Sequence, residues 1–276
     1  MAELKFRRFT LNQRIEHIIF FTSFILLAYT GFPLKFPDVW WSKWMIASVG
    51  GFENRTLIHH FSGLVMIGVC AYHVVYHMVL EKVRPDILFS PKDIKDFTQQ
   101  IRYFLRLTDE PPRFGRYTWK QKFEYFGAAV GAVIMGFTGI LMWQPFEAMK
   151  YFPIGFVQIA NLFHTWEAVL ASLAIFIGHF YDEHFGKFLN LSWLTGNISE
   201  EEMRHEHPEE YEAVMGDEVI NKIETGNPVR NNSSAGTVML FGFAKLVFTM
   251  VFLAICIWML WISYHVLVEA VNTYIL

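Results

Sequence analysis

Hydrophobic positions along this chain gather into five long runs separated by polar stretches: Arg14–Pro33, Leu57–Leu80, Phe123–Trp143, Phe156–His184 and Val238–Ser263. At 1.5 Å per residue each run is long enough to cross a hydrocarbon core of about 30 Å as a helix. The pattern predicts an all-α fold, a polytopic membrane helix bundle with about five transmembrane helices and two cytoplasmic loops containing short helices. In the first of those loops Ser90-Pro91-Lys92-Asp93 has the form of an N-cap, a proline at the first helical position and an acidic third position. Ile94, Phe97, Ile101 and Phe104 or Leu105 follow at helical spacing, which predicts a helix near 91–106 lying on the inner membrane surface or packed on the protein's own loops. Pro111-Pro112 ends that segment. In the second loop Ser199-Glu200-Glu201-Glu202 opens a helical stretch by the same capping logic, whereas Asn190–Leu194 and Asn227–Ser234 read as irregular. No internal repeat of convincing period is apparent, although the second and fourth runs both carry histidines near both ends.

Lys and Arg set the expected orientation. The N-terminus through Arg14 carries four and the 81–122 loop carries ten, against three in the 33–56 loop and one in the 144–155 loop. The positive-inside rule then puts the N-terminus in the cytoplasm and, after five spans, the C-terminus outside, in a bacterial or archaeal inner membrane. The first run is too long for a signal h-region and lacks a small-residue cleavage site, so it reads as a retained span. Trp40, Trp41 and Trp44 fall where an aromatic belt at the outer interface, or a partner interface, would be.

Composition agrees. Of 276 residues 53% are hydrophobic and 17% aromatic, a membrane composition with polar sequence left for sizeable loops. A net charge of −3 gives no reason to expect nucleic acid or an acidic substrate. Cys70 and Cys256, both in apolar runs, exclude a disulfide framework and a Cys-x-x-Cys-His haem attachment site.

The chemistry lies in the histidines. His164 and His179 share one run, fifteen residues and about 22 Å apart along a helix, on broadly one face. Ionisable side chains within spans are costly and mark function. His59 and His60 enter the second run at the depth of His164, while His73 and His77 lie deeper, with His17 at the start of the first run. A haem held between helices by two axial imidazoles needs such pairs, and two stacked haems need four ligands, two at each depth. The outer pair is His164 with His59 or His60; Gly63, one turn after His59 on the same face, leaves room for a porphyrin and favours His59. The inner pair is His179 with His17 or His73, which spacing alone does not separate. His60, His77, His184 and His265 read as interfacial polar residues. Zinc is disfavoured because the mid-membrane sites lack Cys and clustered carboxylates. A proton relay through the histidines and Glu167 is a rival, as is a non-redox membrane anchor.

With Arg14-Ile15-Glu16-His17 and Thr30-Gly31 in the first run, His59-His60-Phe61-Ser62-Gly63 in the second, and His164 with His179-Phe180-Tyr181 in the fourth, residues 9–196 resemble the di-haem cytochrome b subunits of formate dehydrogenase and nickel–iron hydrogenase, including the thiosulfate-reductase-like branch. The resemblance implies four iron ligands, His17, His59, His164 and His179, in two haems b. It implies a quinone near the inner haem, for which Glu16, His73 and Tyr181 are candidate contacts. His73 could instead replace His17 or ligate a third haem. Arg14 and Arg55 would pair with propionates, and Glu167 would tune the outer haem or bond a propionate. The histidine pair of the fourth span is one residue wider than in formate dehydrogenase subunits. The expected function is transmembrane electron transfer between a quinone or menaquinone pool and a partner on the outer face, a multihaem c-type cytochrome, an iron–sulfur protein, a dehydrogenase or a hydrogenase. The expected domains are 1–196, a four-helix di-haem bundle; 197–237, an acidic cytoplasmic loop; 238–265, a fifth transmembrane helix; and 266–276, a short outer tail.

Overall fold

The computed structural model describes residues 5–80, 85–184 and 190–223. The predicted fifth helix and outer tail, with Cys256 and His265, lie outside the described residues, as do the side chains of Tyr181 and His184. Among the described residues four helices are long and apolar enough to cross a membrane: Leu11–Lys35, Phe52–Val75, Trp119–Trp143 and Ile154–Phe180. The first three are α1, α3 and α5. Between α1 and α3 lies a short α2 (Trp40–Ser48), and α6 (Pro145–Ala148) follows α5. The fourth span begins as α7 (Ile154–Leu173) and continues as a π-helix through Ala174–His184; α3 likewise ends in a π-helical stretch, Tyr76–Leu80. These π turns are rare and concentrate where a helix must re-aim a side chain.

The chain divides into two compact units. One comprises Met1–Arg14, Val83–Gly127 and Tyr181–Leu240; the other comprises Ile15–Lys82, Ala128–Phe180 and Phe241–Leu276. The first unit contains α4 (Pro91–Phe104), as the capping pattern predicts. The carboxylate of Asp93 accepts from the backbone N–H of Ser90 at 2.6 Å, and Lys122 donates to both of its oxygens at 2.9 and 3.0 Å. This ion pair anchors one face of α4. Phe97 also packs edge-on to Trp119 at 4.9 Å. Ile94, Ile101, Phe104 and Leu105 stay exposed. One face of the helix is thus tied to the protein, as the second of the two expectations has it, and an apolar face is exposed.

The same unit adds one feature to the all-α expectation. Lys5–Arg7 (β1) pairs antiparallel with Asn197–Ser199 (β2), which follows a single-turn α8 (Ser192–Thr195). Gly196 makes the turn between them with φ of 82°, and an added Cβ would meet the carbonyl oxygen of Phe9 at 2.9 Å. Only glycine fits a left-handed turn this close to another backbone. The predicted acidic helical stretch is α9 (Glu200–Glu206) and α10 (Pro208–Ile223). Its Glu210 receives Nη1 of both Arg8 (2.8 Å) and Arg116 (2.6 Å). Each arginine also donates Nη2 to the other's carbonyl oxygen.

That reciprocal arrangement exposes a repeat absent from the sequence reading. Arg8, Thr10, Gln13, Glu16, Thr30 and Gly31 recur 108 residues later as Arg116, Thr118, Gln121, Glu124, Thr138 and Gly139. Thr10 and Gln13 form a reciprocal capping box at the start of α1 (3.0 and 3.3 Å), and Thr118 and Gln121 form the same box at the start of α5 (3.2 and 3.1 Å). α1 and α5 are therefore equivalent elements.

Buried His207 lies beside the two arginines and donates Nδ1–H to the carbonyl oxygen of Gly115 at 2.8 Å. Burial, with the positive charge of Arg8 and then Arg116, pushes its pKa down from 6.5 to about 3. Between those values the unfolded chain holds a proton that the folded chain does not, so stability falls as pH falls through this window. Melting followed by intrinsic fluorescence in detergent is expected to show the loss between about pH 6.5 and 3, and a His207→Gln variant to show a flatter profile.

Candidate functional site

The second unit gathers the histidines. His59, on α3, and His164, on α7, face each other with ring centroids 6.4 Å apart. His17, on α1, and His179, in the π-helical part of the fourth span, face each other at 6.1 Å. Metal–imidazole bonds of about 2.0 Å, with about 1.2 Å more from each nitrogen to its ring centre, put two axial imidazoles on one metal about 6.4 Å apart. Both separations suit one iron between each pair.

The rings of His59 and His164 are held in matching ways. Nδ1 of His59 lies 2.9 Å from Oγ1 of Thr30, and Nδ1 of His164 lies 3.0 Å from Oγ1 of Thr138. Each threonine hydroxyl donates back to its own helix, Thr30 to Leu26 and Thr138 to Ile134. Its oxygen is then left to accept Nδ1–H from the histidine. That fixes the tautomer with Nε2 as the electron-pair donor, the usual outer support of a metal-binding imidazole. The residue after each threonine is glycine. A Cβ added at Gly31 would stand 3.3 Å from Cε1 of His59, and one at Gly139 would stand 3.1 Å from Cε1 of His164. The two Thr-Gly pairs are the repeat-equivalent positions of α1 and α5, so each helix cradles the histidine of the span that follows it.

Other sequence-derived candidates fall as follows. His60 does not face His164; it stacks on Trp143 at 4.2 Å. A Cβ at Gly63 would make only ordinary contact with Leu27, 3.9 Å away, so the glycines pressed against the rings are Gly31 and Gly139. Gly139 was not a sequence candidate, and its only signal was the repeated Thr-Gly pair. Arg55 is buried and donates Nη1 to the carbonyl oxygen of Thr30 at 2.9 Å, with no carboxylate in ion-pair range among the described residues. Arg14, in the first unit, donates to the carbonyl oxygen of Leu194 at 2.5 Å, and its buried Nε has no hydrogen-bond partner among the described residues. Oε1 of Glu167 lies 3.2 Å from where a Cβ on Gly131 would be.

His73 meets α1. Its Nδ1 lies 2.6 Å from Oε2 of buried Glu16, while Nε2 of His77 lies 3.1 Å from Oε1 of the same carboxylate. Fourteen residues separate His59 from His73 and fifteen separate His164 from His179. The π-helix of Ala174–His184 accounts for the wider spacing. Its broader turns rotate each residue through less than the 100° of an α-helix, which draws His179 back toward the azimuth of His164.

The family model described as prokaryotic cytochrome b561 matches residues 8–195. The formate dehydrogenase cytochrome b556(fdo) subunit of Escherichia coli K12 is 25% identical over 210 residues, 75% of this chain and 92% of that protein. The formate dehydrogenase cytochrome b556 subunit of Haemophilus influenzae Rd is 25% identical over 237 residues, 84% of this chain and 92% of that protein.

Proposed function

This chain belongs to the prokaryotic cytochrome b561 family, and from that premise we propose that it is the di-haem electron-transfer subunit of a quinone-linked redox complex, with one haem b between His59 and His164 and a second between His17 and His179. The coarser part needs no proposal: the chain is a multi-pass membrane b-type cytochrome. The observation that carries the finer part is the pair of ring separations, 6.4 and 6.1 Å, each matched to two imidazoles on one iron. When bound, haem supplies an iron that takes and gives single electrons. The chain's own residues do the rest. Thr30 and Thr138 hold the outer imidazoles in the Nε2-donating tautomer. Arg55, a buried cation, would offer an outer propionate its counter-charge.

The quinone site belongs near the inner pair, where Glu16 and His73 present a carboxylate and an imidazole able to bind a quinol hydroxyl and accept its proton at Oε2 of Glu16 or Nε2 of His73. The N-terminus is cytoplasmic, the apolar face of α4 lies on the membrane, and the redox partner docks on the outer face. The relatives are subunits of formate dehydrogenase, which supports a dehydrogenase or another iron–sulfur or multihaem protein as that partner.

The test is a reduced-minus-oxidised spectrum of purified protein with haem quantified per chain. Two haems b per chain, reducible by a quinol analogue, are expected. A protein without a b-type band would be an anchor or proton-conducting subunit instead.

A further inference from the structure

Three side chains outside the four proposed iron ligands converge on one point. Oε2 of Glu16 lies 2.6 Å from Nδ1 of His73 and Oε1 lies 3.1 Å from Nε2 of His77, and the three potential ligand atoms all lie within 4.8 Å of one another. The imidazole centroids of His73 and His77 are 4.6 Å apart. Two histidines four residues apart present both rings on one helix face, the spacing of helical zinc sites. A carboxylate from another helix completes a two-histidine, one-carboxylate set, the donor set of zinc sites that keep an open position. The Glu16 side chain is only 8% exposed, whereas His73 is 36% exposed and leaves a way in for an ion.

We propose that Glu16, His73 and His77 form a binding site for a divalent transition-metal ion of the zinc class. In the metal-free state the carboxylate accepts a hydrogen bond from each imidazole, so the nitrogens that would coordinate the ion already point at the oxygens that would share it. Binding would shift each of those protons to the other nitrogen of its ring and bring the ligand atoms to about 3.3 Å from one another, the separation that tetrahedral bonds of about 2.0 Å require. Water fills the remaining position. Zinc is favoured over calcium or magnesium because two of the three donors are imidazoles rather than oxygens.

The site rests on the positions of three side chains and not on haem. Its consequence rests on the reading above. Glu16 precedes His17, so an ion here adds positive charge next to the inner pair. It also occupies the carboxylate and imidazole offered to a quinol, which makes the site inhibitory.

Purified full-length protein is equilibrated with Zn²⁺ at graded concentration, freed of excess ion and assayed for zinc by atomic emission, with haem content read from the spectrum of the same sample. One zinc per chain is expected. Glu16→Gln and His73→Ala are expected to weaken uptake at least tenfold, a His73→Ala/His77→Ala double variant to abolish it, and exposed His205→Ala to leave it unchanged. Zinc K-edge absorption of the wild-type protein, which needs no variant to fold, is expected to show two imidazoles in the coordination shell. Uptake in the double variant equal to wild type, no stoichiometric zinc in wild type, or a shell with fewer than two imidazoles overturns the site. Zinc binding without haem would sink the electron-transfer reading and leave this one standing; two haems without zinc would do the reverse.

Discussion

Replacing His164 with alanine is expected to remove one haem and leave about half of the b-type absorbance per chain. His59→Ala should lose the same haem, because the two rings flank a single gap of 6.4 Å between centroids. His179→Ala and His17→Ala should lose the other. A His164→Ala/His179→Ala double variant should retain neither, since both iron positions then lack one axial nitrogen. Pyridine haemochrome titration against protein concentration reads each result. Full haem content in both His164→Ala and His179→Ala would refute the ligand assignment. Thr138→Val is the milder member of the series. It keeps the imidazole and removes the acceptor 3.0 Å from its Nδ1. Losing such an outer support costs about 10–100-fold in metal affinity. The variant should thus hold its haem when freshly purified, lose it faster to a competing haem acceptor such as apomyoglobin, and show a shifted midpoint potential in redox titration.

The second large effect is expected at Glu210, far from any histidine pair in sequence. Its carboxylate receives both Arg8 and Arg116, whose side chains are 5% and 14% exposed. Glu210→Ala leaves two guanidiniums together with their shared counter-charge removed. Breaking a buried ion pair from one side typically costs about 3–5 kcal/mol. The same lesson applies in reverse to a double arginine replacement by apolar residues, which should cost less than the single glutamate change. Thermal unfolding of the wild type and the two variants in one detergent distinguishes these outcomes; a Glu210→Ala midpoint within a degree of wild type would show that the carboxylate does not hold the unit together.

Much of this was legible in the chain. Long apolar runs become helices because lipid leaves the backbone no other partner than itself. Histidines within such runs stand out because they are costly there. Ser90 and Asp93 announced α4 through local capping chemistry. What escaped was non-local. His77 read as an interfacial residue because its partner, Glu16, stands 61 positions away on another helix. The proposed zinc site was likewise out of view, because only the packing of α1 against α3 brings the Glu16 carboxylate to His73 and His77. Helical arithmetic at a uniform 100° per residue could not separate His17 from His73, because His179 lies inside a π-helix with a different turn. The repeat went unseen because its surviving identities are scattered among lipid-facing positions free to drift.

The equivalence of α1 and α5 bears on ancestry. A Thr-Gly pair on one helix and a histidine on the next make one complete half of the outer pair, and the chain contains that half twice. Duplication of a single helical hairpin therefore supplies everything His59 and His164 need. The inner pair has no such origin. Tyr125 stands where a second copy of His17 would be, and His73, the counterpart of His179, is bound to Glu16. The His59/His164 pair thus keeps the symmetry of the repeat while the His17/His179 pair departs from it, so the two pairs have unlike surroundings.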